Sequence, residues 1–179
     1  MSGAPGPPRS VQPAGQPHGP RLAWALGLAA VTLFGAIALM LAPLEPGVLA
    51  LQFAATPHAF GAVVHAWGED GVARYRAHLP WDFALLVAYG AFGWVLAHRT
   101  ALFAGWRARE RRLAAALLPA AALADAVENL LHLWLTAAPR FDAAEVYALA
   151  AAAAGLKWCA LLAFALCVAA VLARRAPRA

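Results

Sequence analysis

The sequence predicts an all-α fold, a polytopic membrane four-helix bundle with a short amphipathic helix in its first external loop. Three observations carry that reading. Hydrophobic residues make up 63% of the 179 and charged residues only 13%, about half the charge with which a soluble domain covers its surface. Four apolar stretches approach or exceed the roughly 20 residues a helix needs to cross a bilayer. The arginines gather just outside those stretches and favour alternate loops, the footprint of membrane topology.

Met1 to Arg21 is rich in Pro, Gly, Gln and Ser around Arg9 and Arg21; it cannot bury a core and is expected to be a disordered tail. Leu22–Ala42 carries no charge and stops before Pro43 and Pro46. It outruns the apolar region of a typical signal peptide, about 7–15 residues, so it is read as span one. Span two runs from Trp81 to about His98, span three from Leu113 to Thr136 and span four from Val146 to Ala173. A basic tail, residues 174–179, follows.

The loop between spans one and two, residues 43–80, has its own helical signals. Thr56 before Pro57 reads as an N-cap and first-turn proline. Phe60, Val63, Val64 and Trp67 fall at helical spacing, and Gly68 reads as a C-cap, which predicts an amphipathic helix over about 57–67. A second short helix, about Glu69 to His78, is expected to lead into span two. Trp24, Trp81, Trp106 and Trp134 lie near span ends, as interfacial anchors do.

Arg9, Arg21, Arg99, Arg107, Arg109, Arg111, Arg112, Arg174, Arg175 and Arg178 fall on one side of this arrangement, and only Arg74, Arg76 and Arg140 on the other. Ten against three places both termini in the cytoplasm. The net charge of +5 therefore reflects topology rather than a phosphate track, and no nucleic-acid partner is expected. Cys159 and Cys167 both fall inside span four and form no CxxC; they read as small buried hydrophobes.

Span three is the anomaly. It carries Asp125, Glu128, Asn129 and His132 besides Pro119. Two acids near mid-membrane cost roughly 6 kcal/mol on insertion scales, while eight leucines return about 4. The helix must therefore insert with partners for its polar groups. The four polar residues share one helix face. Lys157, alone in span four, is the natural ion partner of Asp125. Asp82 and Tyr89 share a face of span two, and depth counting from the span ends puts Glu128 level with Tyr89 and His132 level with Asp82. A polar column rising from mid-membrane toward the outer face results. Gly90 and Gly93 permit close helix approach, and Trp158 beside Lys157 is placed to wall a pocket or to pack in the bundle.

Ionisable groups inside a membrane mark functional sites by default. The expected ligand-binding set is Asp82, Tyr89, Asp125, Glu128, Asn129, His132, Lys157 and Trp158, with Glu128 and Asp125 as the candidates for acid–base chemistry. Polar residues also glue helices together, and that structural role competes throughout the column. No cofactor is expected, and no metal: His58, His65 and His132 offer no haem or metal pattern, and no HExxH occurs.

Trp67-Gly68, Trp81-Asp82-Phe83, Ala88-Tyr89-Gly90, Asp125-Ala126-Val127-Glu128-Asn129 and Lys157, in that order, resemble a group of small four-span bacterial membrane proteins marked by an Asp-x-x-Glu-Asn signature in the third span. The resemblance covers roughly Gly47 to Lys157. It implies the topology, the site and the bacterial inner membrane, and no reaction, since the group has no established activity. A looser similarity, of fold and idea rather than motif, is to the intramembrane sterol-isomerase and sigma-2-receptor superfamily, whose bundles hold acidic residues in a lipid-accessible cavity. Three functions follow as expectations. The first is binding of an amphipathic small molecule or lipid, its head group meeting Glu128, Asn129 and His132. The others are an isomerase-like acid–base enzyme using the same carboxylates, and an accessory subunit whose column is internal glue. Partners are then the bilayer, the ligand, and a membrane-protein partner or a second copy of the chain.

Overall fold

The structure, a computed structural model, describes residues 19–138 and 140–175. Five helices run in order: α1 Gly19–Leu41, α2 Val48–Gln52, α3 Pro57–Arg99, α4 Ala108–Leu135 and α5 Ala144–Arg175. All but α2 are long and apolar enough to cross a membrane. The described chain is thus an all-α, multi-pass membrane protein, and its four long helices form a bundle.

The bundle is not closed. Helix α1 packs along α3, α3 along α4 and α4 along α5, whereas α1 and α5 do not pack along each other. The helices form a C whose open seam lies between its first and last members. Both ends of the described chain lie at one end of the bundle, the arginine-rich one. Gly19 packs so closely on the Arg99 backbone that no Cβ fits there, and Arg175 Nη2 donates to Ala101 O at 2.6 Å and Leu102 O at 2.9 Å.

Two boundaries differ from expectation at this end. Gly19, Pro20 and Arg21 belong to α1 rather than to a disordered tail, because a proline is tolerated in a first turn and Gly19 is held on Arg99. Arg174 and Arg175 likewise complete α5. The expected disorder of residues 1–18 and the tail beyond 175 lie outside the described residues.

At the opposite end the first half of α3 does what its signals predict. Thr56 Oγ1 accepts from Ala59 N at 3.2 Å, and the helix breaks at Gly68, with φ 63 and ψ −173. Of the two placements open to an amphipathic loop helix, on the membrane surface or over the end of the bundle, Pro57–Trp67 takes the second. Phe60, Val63 and Trp67 are buried, and the Phe60 ring stands 5.2 Å from that of Tyr147. Beyond Gly68 the expected short helix and span two are one helix, passing Pro80 without a break in the ladder's direction. The buried stripe Gly71, Tyr75, His78, Leu79, Asp82 and Leu85 explains this: packing at helical spacing on both sides of Pro80 outweighs the one backbone bond it forgoes.

The packing has two apolar clusters. One, toward the cap, gathers Ile37, Leu51, Phe60, Trp67, Leu85 and Tyr147. The other, toward the arginines, gathers Ala97, Phe103, Ala115, Leu118, Phe164 and Val171. Close approach of α3 and α4 sets their register: a Cβ at Gly93 would stand 2.6 Å from Leu118 Cβ, and one at Gly90 3.2 Å from Ala122 Cβ. Of the expected anchors, Trp24, Trp81 and Trp134 are exposed at span ends, while Trp106 stands edge-on to Phe103, 5.0 Å away.

Gly68 offers a direct test. An added Cβ meets nothing within 4 Å, so a change to alanine acts through the backbone alone. Gly68→Ala is expected to cost about 1–3 kcal/mol, the range for strained conformations that only glycine adopts readily, measured as loss of stability in detergent unfolding.

Candidate functional site

A layer of buried polar side chains separates the two apolar clusters. Asp82, Asp125, Glu128, Asn129, His132 and Lys157 are all buried, Glu128 at 0% exposure. Helices α3, α4 and α5 supply them from their inward stripes, so they face one another within the bundle.

Lys157 is the centre. Its Nζ donates to Asp125 Oδ1 at 2.9 Å, and Glu128 Oε2 stands 2.7 Å away as an ion-pair contact. One ammonium is therefore shared by two carboxylates, not one. No described group makes a well-aligned hydrogen bond to either Glu128 oxygen, and His132 Nδ1 lies 3.9 Å from Oε1. Tyr89 OH donates to Asp125 Oδ2 at 3.2 Å, and Asn129 Nδ2 to Asp82 Oδ2 at 2.5 Å. His132 Nδ1 and Tyr75 OH share a hydrogen bond of 2.7 Å.

These pairings correct the depth reading. Tyr89 meets Asp125 rather than standing level with Glu128, and Asp82 meets Asn129 rather than His132. The column is offset by about one helical turn because depth was counted from Trp81 and Leu113. Helices α3 and α4 extend past both points and pack in a register set by Gly90 and Gly93. Measured from the arginines, Asp125 lies about 20 Å above Arg112 and Lys157 about 26 Å above Arg174.

The seam between α1 and α5 opens onto a cavity of about 1440 Å³. Its walls are apolar for most of their length: Val31 and Phe34 on α1, Phe92 and Leu96 on α3, Leu161 and Phe164 on α5. In one place they are not. There His78, Asp82, Tyr89, Asp125, Asn129 and Lys157 line it. Near this level Trp158, also on the wall, donates Nε1 to Gln52 Oε1 at 3.1 Å. That bond carries α2 across the seam and roofs the cavity at its cap end. Its other end reaches Thr100 and Arg175.

Glu128 and His132 do not line this cavity. They stand behind its wall, against Tyr75 and the cap, where Phe60 lies 5.6 Å from the His132 ring. The cluster is therefore two-sided: Asp82, Tyr89, Asp125, Asn129 and Lys157 face the cavity, while Glu128, His132 and Tyr75 are interior. His58 and His65 are exposed on the cap helix and do not join buried His132. Of the cysteines, Cys159 is exposed on α5 and Cys167 half-buried, so Cys159 is not the buried residue expected.

Sequence reasoning missed Tyr75, His78 and Gln52. The signal was present for two of them. Tyr75, His78, Asp82 and Tyr89 form one stripe at spacings of three, four and seven, and only Pro80 made it look interrupted. Gln52 had none, because its partner lies far away in sequence on α5.

No protein-family model, curated protein or solved structure matches the chain. Fold and site together define its class: a multi-pass four-helix membrane protein with an open seam and a polar cluster on the wall of the cavity behind it.

Lys157→Met is expected to destabilise the bundle by about 3–5 kcal/mol, because it leaves two buried carboxylates without their cation. Adding Asp125→Asn and Glu128→Gln to the same chain is expected to restore much of that loss. Thermal unfolding of the single and triple variants in one detergent checks both.

Proposed function

We propose that this integral membrane protein holds an amphipathic small molecule or lipid in the cavity between α1 and α5. The head group meets Asp82, Asn129, Asp125 and Lys157, and the tail lies along the apolar wall toward the arginine-rich end. One observation carries the reading: a cavity of about 1440 Å³ whose largely apolar wall carries a cluster of six polar side chains, His78, Asp82, Tyr89, Asp125, Asn129 and Lys157. Pockets that hold small molecules share this composition, mostly apolar with a few polar groups that fix orientation. Because α1 and α5 stay apart, the ligand reaches the site sideways, from within the bilayer.

The arginine-rich end faces the cytoplasm in this reading, and the membrane is the bacterial inner membrane that the resemblance of Asp125, Glu128 and Asn129 to the Asp-x-x-Glu-Asn group implies. The interior half of the cluster has the second role weighed from sequence. Glu128, His132 and Tyr75 reach no cavity surface, so they act as helix glue. An acid–base enzyme would have to use Asp125 or Asp82, the carboxylates a substrate can touch.

Native mass spectrometry of gently purified protein tests the proposal. Val31 is exposed on the cavity lip of α1, so Val31→Trp is expected to fill the seam without disturbing the packed core. A discrete adduct on the wild type, lost in Val31→Trp at unchanged stability, is the expected result. An adduct equally abundant on both would place the ligand elsewhere, and no adduct on either would leave the polar layer as glue alone.

A further inference from the structure

The charges around the cavity specify more than an amphiphile. The polar layer contains three carboxylates, Asp82, Asp125 and Glu128, and one lysine. That lysine is committed twice, to Asp125 at 2.9 Å and to Glu128 at 2.7 Å. Asp82 has no cation within 4 Å among the described residues. Its one hydrogen bond there comes from Asn129, to Oδ2, and Oδ1 receives none. Yet Asp82 is only 9% exposed, and it lines the cavity. A carboxylate withdrawn from water and left without a counter-charge is costly.

His78 points to the same chemistry. It stands one turn before Asp82 on α3, about 6 Å along the axis, and it also lines the cavity. Its Nδ1 is hydrogen-bonded to the Tyr75 carbonyl. A carbonyl only accepts, so Nδ1 carries the proton, and in the neutral ring Nε2 is left as an acceptor. Asn129 spends an amide hydrogen on Asp82. At this level the wall therefore offers hydrogen-bond acceptors and a carboxyl group with no cation in contact.

We infer that the head group the cavity selects is a primary ammonium on a long apolar tail, held by Asp82 and His78. This rests on the cavity being a ligand site. An ammonium brings three donors and the missing positive charge. A carboxylate or phosphate would face Asp82 with no spare cation at that level, since both partners of Lys157 are in place and Arg175 stands at the cavity's other end. A hydroxyl brings one donor and no charge. The ammonium belongs either to a free long-chain amine or to the head group of an aminophospholipid.

The test places the full chain in phosphatidylcholine nanodiscs with equal amounts of tetradecylamine, tetradecanol and tetradecanoate, and counts adducts by native mass spectrometry. The amine is expected to exceed both others by about tenfold or more, the scale of one close buried charge pair. In Asp82→Asn the lead of the amine over the alcohol is expected to fall to near parity. Equal binding of all three to the wild type, or preference for the carboxylate, would overturn the ammonium assignment and leave the cavity reading standing. Binding of none would overturn both. Should Asp82→Asn fail to fold, the wild-type ranking still decides. Repeating the count in phosphatidylethanolamine nanodiscs separates the two sources: loss of amine adducts there assigns the ammonium to the lipid, and their persistence assigns it to a free amine.

Discussion

The arrangement depends on one buried ammonium. Lys157 lies 4% exposed in a helix that is otherwise apolar around it. In such surroundings a lone charge is prohibitive. Two carboxylates from α4, Asp125 and Glu128, close on it at 2.9 and 2.7 Å. Both lie one helical turn apart on a single face, so satisfying Lys157 fixes the rotation of α4 against α5 and their relative height. Asp125 then receives Tyr89 from α3, and the third helix is registered by the same group. An apolar seam has no comparable selectivity, because a Leu or Ala row packs nearly as well one turn away.

Helix α1 lies outside this network. It contributes none of the buried polar groups and leans on α3 through apolar contacts and close approaches such as Gly27 on the Phe92 ring. Nothing compels it toward α5. The seam is therefore a consequence of where the polar groups sit: three helices are drawn together by charge, and the fourth is held only at one flank. The roof follows similarly. Gln52 on α2 finds the Trp158 indole across the gap, so the cap end is bridged while the side remains open.

Span positions, the cap helix and the pairing of Lys157 with Asp125 were legible in the sequence because each rests on local spacing or on a lone charge that must find its opposite. The sharing of Lys157 with Glu128 was not, since spacing leaves helix rotation free and two acids a turn apart present equally good candidates. The cavity was invisible for a different reason. It is a gap between α1 and α5, and a gap arises from contacts that do not form. The short helix over about Glu69 to His78 and span two were read as separate; only the tertiary stripe from Gly71 to Leu85 reveals one continuous helix through Pro80. Glu128 and His132, which looked most exposed to chemistry as the polar half of an Ala-rich span, turn out to be the most enclosed.

The two faces of the cluster then have opposite electrostatic needs. Lys157, on the wall, reaches Glu128 behind it as well as Asp125 beside it, so the buried carboxylate already has a cation in contact. On the wall, Asp82 is held by an amide that offers hydrogen-bond donation but no charge. Had stability alone shaped this layer, a neutral side chain at Asp82 would serve Asn129 equally well at lower desolvation cost. Asp82, a carboxylate on the cavity surface beside a histidine whose backbone bond leaves its other nitrogen as acceptor, is the one acid of the layer with no cation in contact among the described residues. On the proposed reading of the cavity as a ligand site, that missing charge is what a bound cation supplies.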